Sequence, residues 1–186
     1  MNAFGHQQTK AADRKPWLNV VLFQPEIPQN TGNLGRSCVA LNAKLWMVKP
    51  LGFRLDSSQL KRSGMDYWQD LDWECVDHWE QLLERMEAKR FWLVTKFGTR
   101  NYCDVSFQPG DALVFGREST GLPDSLHQQH QDRRILIPMP GPVRCLNLAT
   151  SAGIVMYEAA RQLDAFTQPV SGTEPQIDGT KLRCDA

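Results

Sequence analysis

Arg134–Leu163, RILIPMPGPVRCLNLATSAGIVMYEAARQL, reads as a short apolar strand, a stiff loop and a helix. The strand is Ile135-Leu136-Ile137. Pro138, Pro140 and Pro142 fix φ at three alternate positions, so the loop is not a floppy connector. Asn147 can cap the following helix with its side-chain oxygen. Ala149, Ser151, Ala152 and Gly153 are small and let another backbone approach closely. A rigid loop over a closely packed helix N-terminus can hold a small ligand. Taken alone, the stretch is also an ordinary β-turn-α unit of an α/β core.

Working back along the chain, apolar runs alternate with helical patterns. Strands are expected at Trp17–Phe23, Lys44–Val48, Trp73–Val76, Arg90–Thr95 and Ala112–Phe115, before the one at Ile135–Ile137. A helix is expected to start near Asn30 or Asn33 and to turn Leu34, Cys38, Val39 and Leu41 inward. A short one is expected at Ser57–Gly64, and another at Asp77–Ala88 with Asp77 as its cap and Trp79, Leu82, Leu83 and Met86 as its apolar stripe. The last helix is Asn147–Leu163. This order implies an α/β domain with a mainly parallel sheet and helices on both faces. The domain is expected over residues 17–164, between a polar tail at 1–16 and a second at 165–186.

The 186 residues suffice for one domain with a sizeable core. With 21 basic and 21 acidic residues, the chain does not grip nucleic acid by bulk charge, although a local basic patch is compatible with that balance. Five widely spaced cysteines without a CxxC suit a reducing compartment with free thiols, not a disulfide frame or a zinc site. No apolar run reaches membrane-spanning length, and the first residues lack the apolar core of a signal peptide. The expectation is a cytoplasmic protein without membrane or metal partners. His127 and His130, among glutamines, read as a solvated turn.

In parallel sheets ligands sit at the carboxyl ends of the strands. Three loops there carry special chemistry: PEIPQNTGNLGR from Pro25, FGRESTGLP from Phe115 and IPMPGPVRCLN from Ile137. They contain no GxGxxG, no P-loop and no nucleophile elbow in register. Cys145 beside Arg144 at a helix N-terminus has the setting of an activated thiol, but no histidine lies near it in sequence.

Together the loops resemble the three motifs of the SPOUT-class RNA methyltransferases, in the branch that methylates ribose 2′-hydroxyls. Asn30-Thr31-Gly32-Asn33-Leu34-Gly35-Arg36 matches the first. Phe115-Gly116-Arg117-Glu118, followed by Gly121-Leu122-Pro123, matches the second. Ile137-Pro138-Met139 with Arg144-Cys145-Leu146-Asn147-Leu148 matches the third. Arg62-Ser63-Gly64-Met65-Asp66-Tyr67 is similar to a signature of the small stand-alone subgroup that modifies the anticodon wobble nucleotide of tRNA, cytidine or uridine.

The resemblance implies a C-terminal trefoil knot, which periodicity does not reveal. It implies S-adenosylmethionine as cofactor, held at Val94, Gly116, Ile137 and Cys145 with Met139 and Leu146 nearby. It implies methyl transfer to a ribose 2′-hydroxyl, with Arg36 central and Asn30, Glu118 and Asn147 positioning it and the substrate. Lys61, Arg62, Arg117 and Arg144 are the candidate RNA contacts. Family members are homodimers in which the partner completes each site. Where the third motif more often has Ser and Ser-Asn, this chain has Cys145 and Ala149-Thr150, which bears on a side-chain contact to the cofactor. The alternatives are a 2′-O-methyltransferase of another RNA such as rRNA, a non-catalytic RNA-binding protein of this fold, and a thiol enzyme using Cys145.

Overall fold

The computed structural model describes residues 15–54, 66–86 and 90–166. The expected helix at Ser57–Gly64, most of the first tail and the second tail from residue 167 lie outside the described residues, as do Lys61 and Arg62.

Seven strands form one sheet: β1 Asn19–Phe23, β2 Lys44–Val48, β3 Trp73–Val76, β4 Phe91–Val94, β5 Arg100–Asn101, β6 Ala112–Phe115 and β7 Arg134–Leu136. Their order is β3-β2-β1-β6-β4-β7-β5, and every pairing is parallel. The six expected strands are present within a residue or two of their expected ends. The two-residue β5 is additional; so short an edge strand carries no hydrophobic period.

The helices are α1 Pro28–Leu41, α2 Trp79–Arg85, α3 Asp124–Gln129 and α4 Leu148–Gln162. Successive strand residues point to opposite faces, and both faces are apolar. Val20, Leu22, Leu45, Met47, Leu113 and Phe115 pack with Leu34 and Cys38 of α1 and with Ala152, Val155, Met156 and Ala159 of α4. On the other face Val21, Phe23, Trp46, Val48, Leu93 and Val114 meet Trp79 and Leu82 of α2 and Leu126 of α3. Strands buried on both sides read as continuous apolar runs, which is why they were legible. Burial pushes the Cys38 thiol pKa up, as expected of an inert core cysteine.

Four local expectations need correction. Helix α1 starts at Pro28, earlier than Asn30 or Asn33, because proline suits the first helical turn. Val39 is only partly buried, while Leu34, Cys38 and Leu41 are buried. Helix α2 is capped by His78, whose ring accepts from the Gln81 main-chain N–H at 3.3 Å, not by Asp77. The Asp77 carboxylate instead pairs with Lys49 at 2.9 Å. Finally, His127 and His130 are not in a solvated turn. His127 is buried in α3 with its ring edge-on to Phe97, and His130 packs edge-on to Phe91.

Candidate active site

The second loop is built so that its carboxylate turns back toward the first. Arg117 and Gly121 close a tight loop through paired main-chain hydrogen bonds of 3.1 and 2.9 Å. Gly121 has φ +76°, a left-handed value that glycine adopts without a Cβ clash. At the tip, Glu118 accepts from the main-chain N–H groups of Glu26 at 2.8 Å and Ile27 at 3.3 Å. It also accepts from Asn30 Nδ2 at 3.0 Å. The contact is reciprocated one residue on: the Glu26 carboxylate accepts from Ser119 Oγ at 2.8 Å and Ser119 N–H at 2.9 Å. Those bonds, the hydroxyl's first, hold the Glu26 pKa below its ordinary value.

The third loop joins through Asn147. Its Nδ2 donates to Asn30 Oδ1 at 2.8 Å, while its Oδ1 accepts from the N–H groups of Ala149 at 2.9 Å and Thr150 at 3.2 Å. Asn147 is therefore both a helix cap and a link in a chain running Glu118–Asn30–Asn147. Both amide ends of Asn30 are engaged, which fixes its orientation. Asn147→Ala is expected to lose the cap and the link to Asn30 together. A cap alone contributes about 0.5–2 kcal/mol, so a thermal or denaturant melt should show a loss of about 2 kcal/mol. Asn147→Asp, which keeps the capping oxygen but cannot donate to Asn30 Oδ1, should recover only the cap's share.

This chain of side chains forms part of the wall of a cavity of about 450 Å³. The wall includes every residue expected at the cofactor: Val94, Gly116, Ile137, Met139, Cys145 and Leu146. Asn30, Glu118 and Asn147 are there, and so are Arg117 and Arg144 of the expected RNA contacts. Gly116 has a separate, steric reason to be glycine. A Cβ there would lie 2.2 Å from the Gly121 carbonyl carbon and 2.3 Å from the Leu122 nitrogen.

Arg36 is placed differently. It lies six residues beyond Asn30 on α1, about 9 Å along the axis and roughly 240° around it. It is exposed, its guanidinium stands 4.7 Å above the Tyr67 ring, and it is not among the residues lining the cavity. Tyr67 is held in turn by its hydroxyl, which donates to the Gly32 carbonyl at 2.6 Å. His127, Thr95, Lys96 and Phe97 line the cavity and were not singled out as site residues from the sequence. No motif spacing marks them; they reach the cavity only because α3 and the β4 end pack beside Gly116. Among the described residues no group of three His, Cys, Asp or Glu side chains is placed to hold a metal, and no helix is long and apolar enough to cross a membrane.

The sequence pattern of the SpoU rRNA methylase family matches residues 17–157. The chain belongs to the SpoU family. Among its SpoU-family relatives, the tRNA (cytidine(34)-2′-O)-methyltransferase of Methylovorus glucosotrophus is 41% identical over 148 residues, which cover 79% of this chain and 96% of the relative. A solved structure described as giving insights into the 2-OH methylation of C/U34 on tRNA superposes with a TM-score of 0.75 at 44% identity, covering 79% of this chain and 96% of that one. The SpoU methyltransferase AviRb of Streptomyces viridochromogenes, solved with AdoMet, matches with a TM-score of 0.71 at 26% identity, covering 81% of this chain and 59% of that one. The fold is thus the SpoU methyltransferase fold, a parallel sheet covered by helices on both faces.

Proposed function

We propose that this chain transfers the methyl group of S-adenosylmethionine to the ribose 2′-hydroxyl of the tRNA wobble nucleotide, cytidine or uridine. The observation that carries the reading is the chain Glu118–Asn30–Asn147. It ties all three motif loops together on the wall of one cavity. The named activity of the Methylovorus relative and the AviRb complex support the substrate and the cofactor respectively.

The cavity fits the cofactor chemically. Val94, Phe115, Leu122 and Ile137 offer an apolar wall for a nucleobase. Within the described residues, no main-chain N–H between Met139 and Leu146 is taken by a main-chain carbonyl. The proline-stiffened loop therefore carries donors ready for a ligand's polar edge. S-adenosylmethionine supplies there an electrophilic sulfonium methyl group. Holding the ribose hydroxyl in line with it accounts for much of the acceleration.

A ribose hydroxyl is a poor nucleophile at neutral pH. Arg36 is not assigned as the base, because a guanidinium group is too weak a base to take that proton. Its role is to stabilise the developing alkoxide, whose proton is lost to water, and to clamp the adjacent phosphate with its fork of donors. Asn30, Glu118 and Asn147 hold the loops that orient the substrate. Arg117 and Arg144, at the cavity, take RNA phosphates in a chain whose net charge is zero; Lys61 and Arg62, outside the described residues, are proposed as further RNA contacts.

The protein works as a homodimer, in which the partner subunit brings its own arginine of the first motif to each cavity. The free face of α4 suits the interface. A Cβ built at Gly153 meets nothing within 4 Å, and the exposed rings of Tyr157 and Phe166 stack beside it at 5.9 Å. The last strand and helix follow the trefoil knot of the family, and the enzyme acts in the cytoplasm. Mass spectrometry of nucleosides from tRNA of cells with and without the gene tests the function. One 2′-O-methylated wobble nucleotide should vanish without the gene and return when purified protein and S-adenosylmethionine are added. An unchanged tRNA profile with a missing rRNA methyl would move the substrate to rRNA.

A further inference from the structure

The Arg62–Tyr67 stretch lies outside the three loops, yet its last residue touches Arg36. Tyr67 belongs to a short 3-10 helix, Asp66–Asp70. Trp68 and Leu71 tie that helix into the core shared with Leu34 and Cys38 of α1. From there the Tyr67 side chain spans one turn of α1. Its hydroxyl donates to the Gly32 carbonyl at 2.6 Å, and its ring centre lies 4.7 Å from the Arg36 guanidinium carbon. Gly32 and Arg36 are four residues apart on α1 and so share a helix face. The Gly32 carbonyl is also the helical acceptor for the Arg36 main-chain N–H, and a carbonyl has a lone pair for each donor. The ring is therefore fixed at its hydroxyl end. Arg36 itself is exposed, and a long exposed side chain samples many rotamers unless something restricts it.

We propose that Tyr67 is the positioning residue for Arg36 in methyl transfer, orienting the guanidinium without cancelling its charge. This rests on the methyl-transfer reading above. A carboxylate in that place would neutralise the cation and occupy its fork of donors. A ring face attracts the cation through its quadrupole and leaves the net charge in place. Transition-state charge is stabilised best by groups that are oriented before the reaction begins. Tyr67 supplies that orientation from outside the motif loops.

Methyl transfer from radiolabelled S-adenosylmethionine to total tRNA of cells lacking the gene, under single turnover, tests this in a double-mutant cycle. Tyr67→Leu should lower the rate about two- to fivefold, as expected for one exposed cation–π contact. Tyr67→Phe, which keeps the ring, should recover part of the loss. In the Arg36→Ala background, Tyr67→Leu should lower the rate no further. Calorimetry with S-adenosylhomocysteine should give the same affinity for wild type and Tyr67→Leu. An unchanged rate, an equal loss in both backgrounds or a loss of ligand affinity overturns the proposal. If the wild type methylates no RNA, the functional reading itself fails. In that case, or if Tyr67→Leu does not fold, NMR of the wild-type protein decides. The Arg36 δ-methylene protons should show Overhauser contacts to the Tyr67 ring and an upfield ring-current shift, and their absence overturns the proposal.

Discussion

Gly116→Ala is expected to abolish binding of S-adenosylhomocysteine and to destabilise the domain by about 3 kcal/mol or more. The atoms a new methyl would strike belong to the main chain of Gly121 and Leu122, at 2.2 to 2.6 Å, so no flexible side chain can swing aside. Relief requires opening the loop that Arg117 and Gly121 close. Opening it withdraws Glu118 from Glu26, Ile27 and Asn30, and with it the link between the motif loops. For a domain of this size the melting temperature should fall by roughly 6–12 °C. Gly141→Ala, where a Cβ meets nothing within 4 Å, is the control and should leave both properties near wild type. Melting curves and calorimetry check both substitutions. A Gly116→Ala protein that binds ligand normally would show that ligand binding does not depend on a rigid second loop.

Arg36→Ala should remove nearly all methyl transfer while leaving cofactor binding intact. Deleting one group that stabilises transition-state charge typically lowers kcat by ~10²–10³-fold. Its separation from the cavity in its own chain makes a sharper expectation. If Arg36 serves the partner's cavity, Arg36→Ala and Glu118→Ala subunits should complement one another. Each inactive alone, they should recover about a quarter of wild-type activity after refolding together as a mixed population of two-fold dimers. Half the dimers are then mixed, and each has one site with both an intact cavity and an intact arginine. If Arg36 acts within its own chain, the mixture stays inactive. Kinetic assays on separately purified and co-refolded subunits distinguish the two, and calorimetry on Arg36→Ala confirms that the cofactor still binds.

Wherever local physics acts alone, the amino-acid order was sufficient. Six strands were legible because residues such as Val20 to Phe23 and Ala112 to Phe115 are apolar on both faces, as a covered parallel sheet demands. The cap at Asn147 was legible because its side-chain oxygen needs only the N–H groups two and three residues on. That Gly116, Ile137 and Cys145 belong together was legible through motif order and resemblance, and they do line one cavity. Other features were not readable this way. The cap of α2 went to His78 because Lys49, distant in sequence, claimed Asp77. His127 looked solvated among glutamines, yet α3 lies across the sheet face and buries it beside Phe97.

The sequence by itself determined an α/β domain of parallel strands and three polar loops at their carboxyl ends. Those follow from periodicity, turn chemistry and motif spacing, all of which act over a few residues. Only the tertiary structure decided that Glu118, Asn30 and Asn147 form one hydrogen-bonded chain, that His127 faces the same cavity, and that Arg36 stands apart from it. These depend on how far the strands are staggered and how the helices turn, which brings residues 88 and 117 positions apart within 3 Å of one another. No local pattern encodes such a meeting, because the free energy that holds it comes from burying the sheet between its two layers of helices.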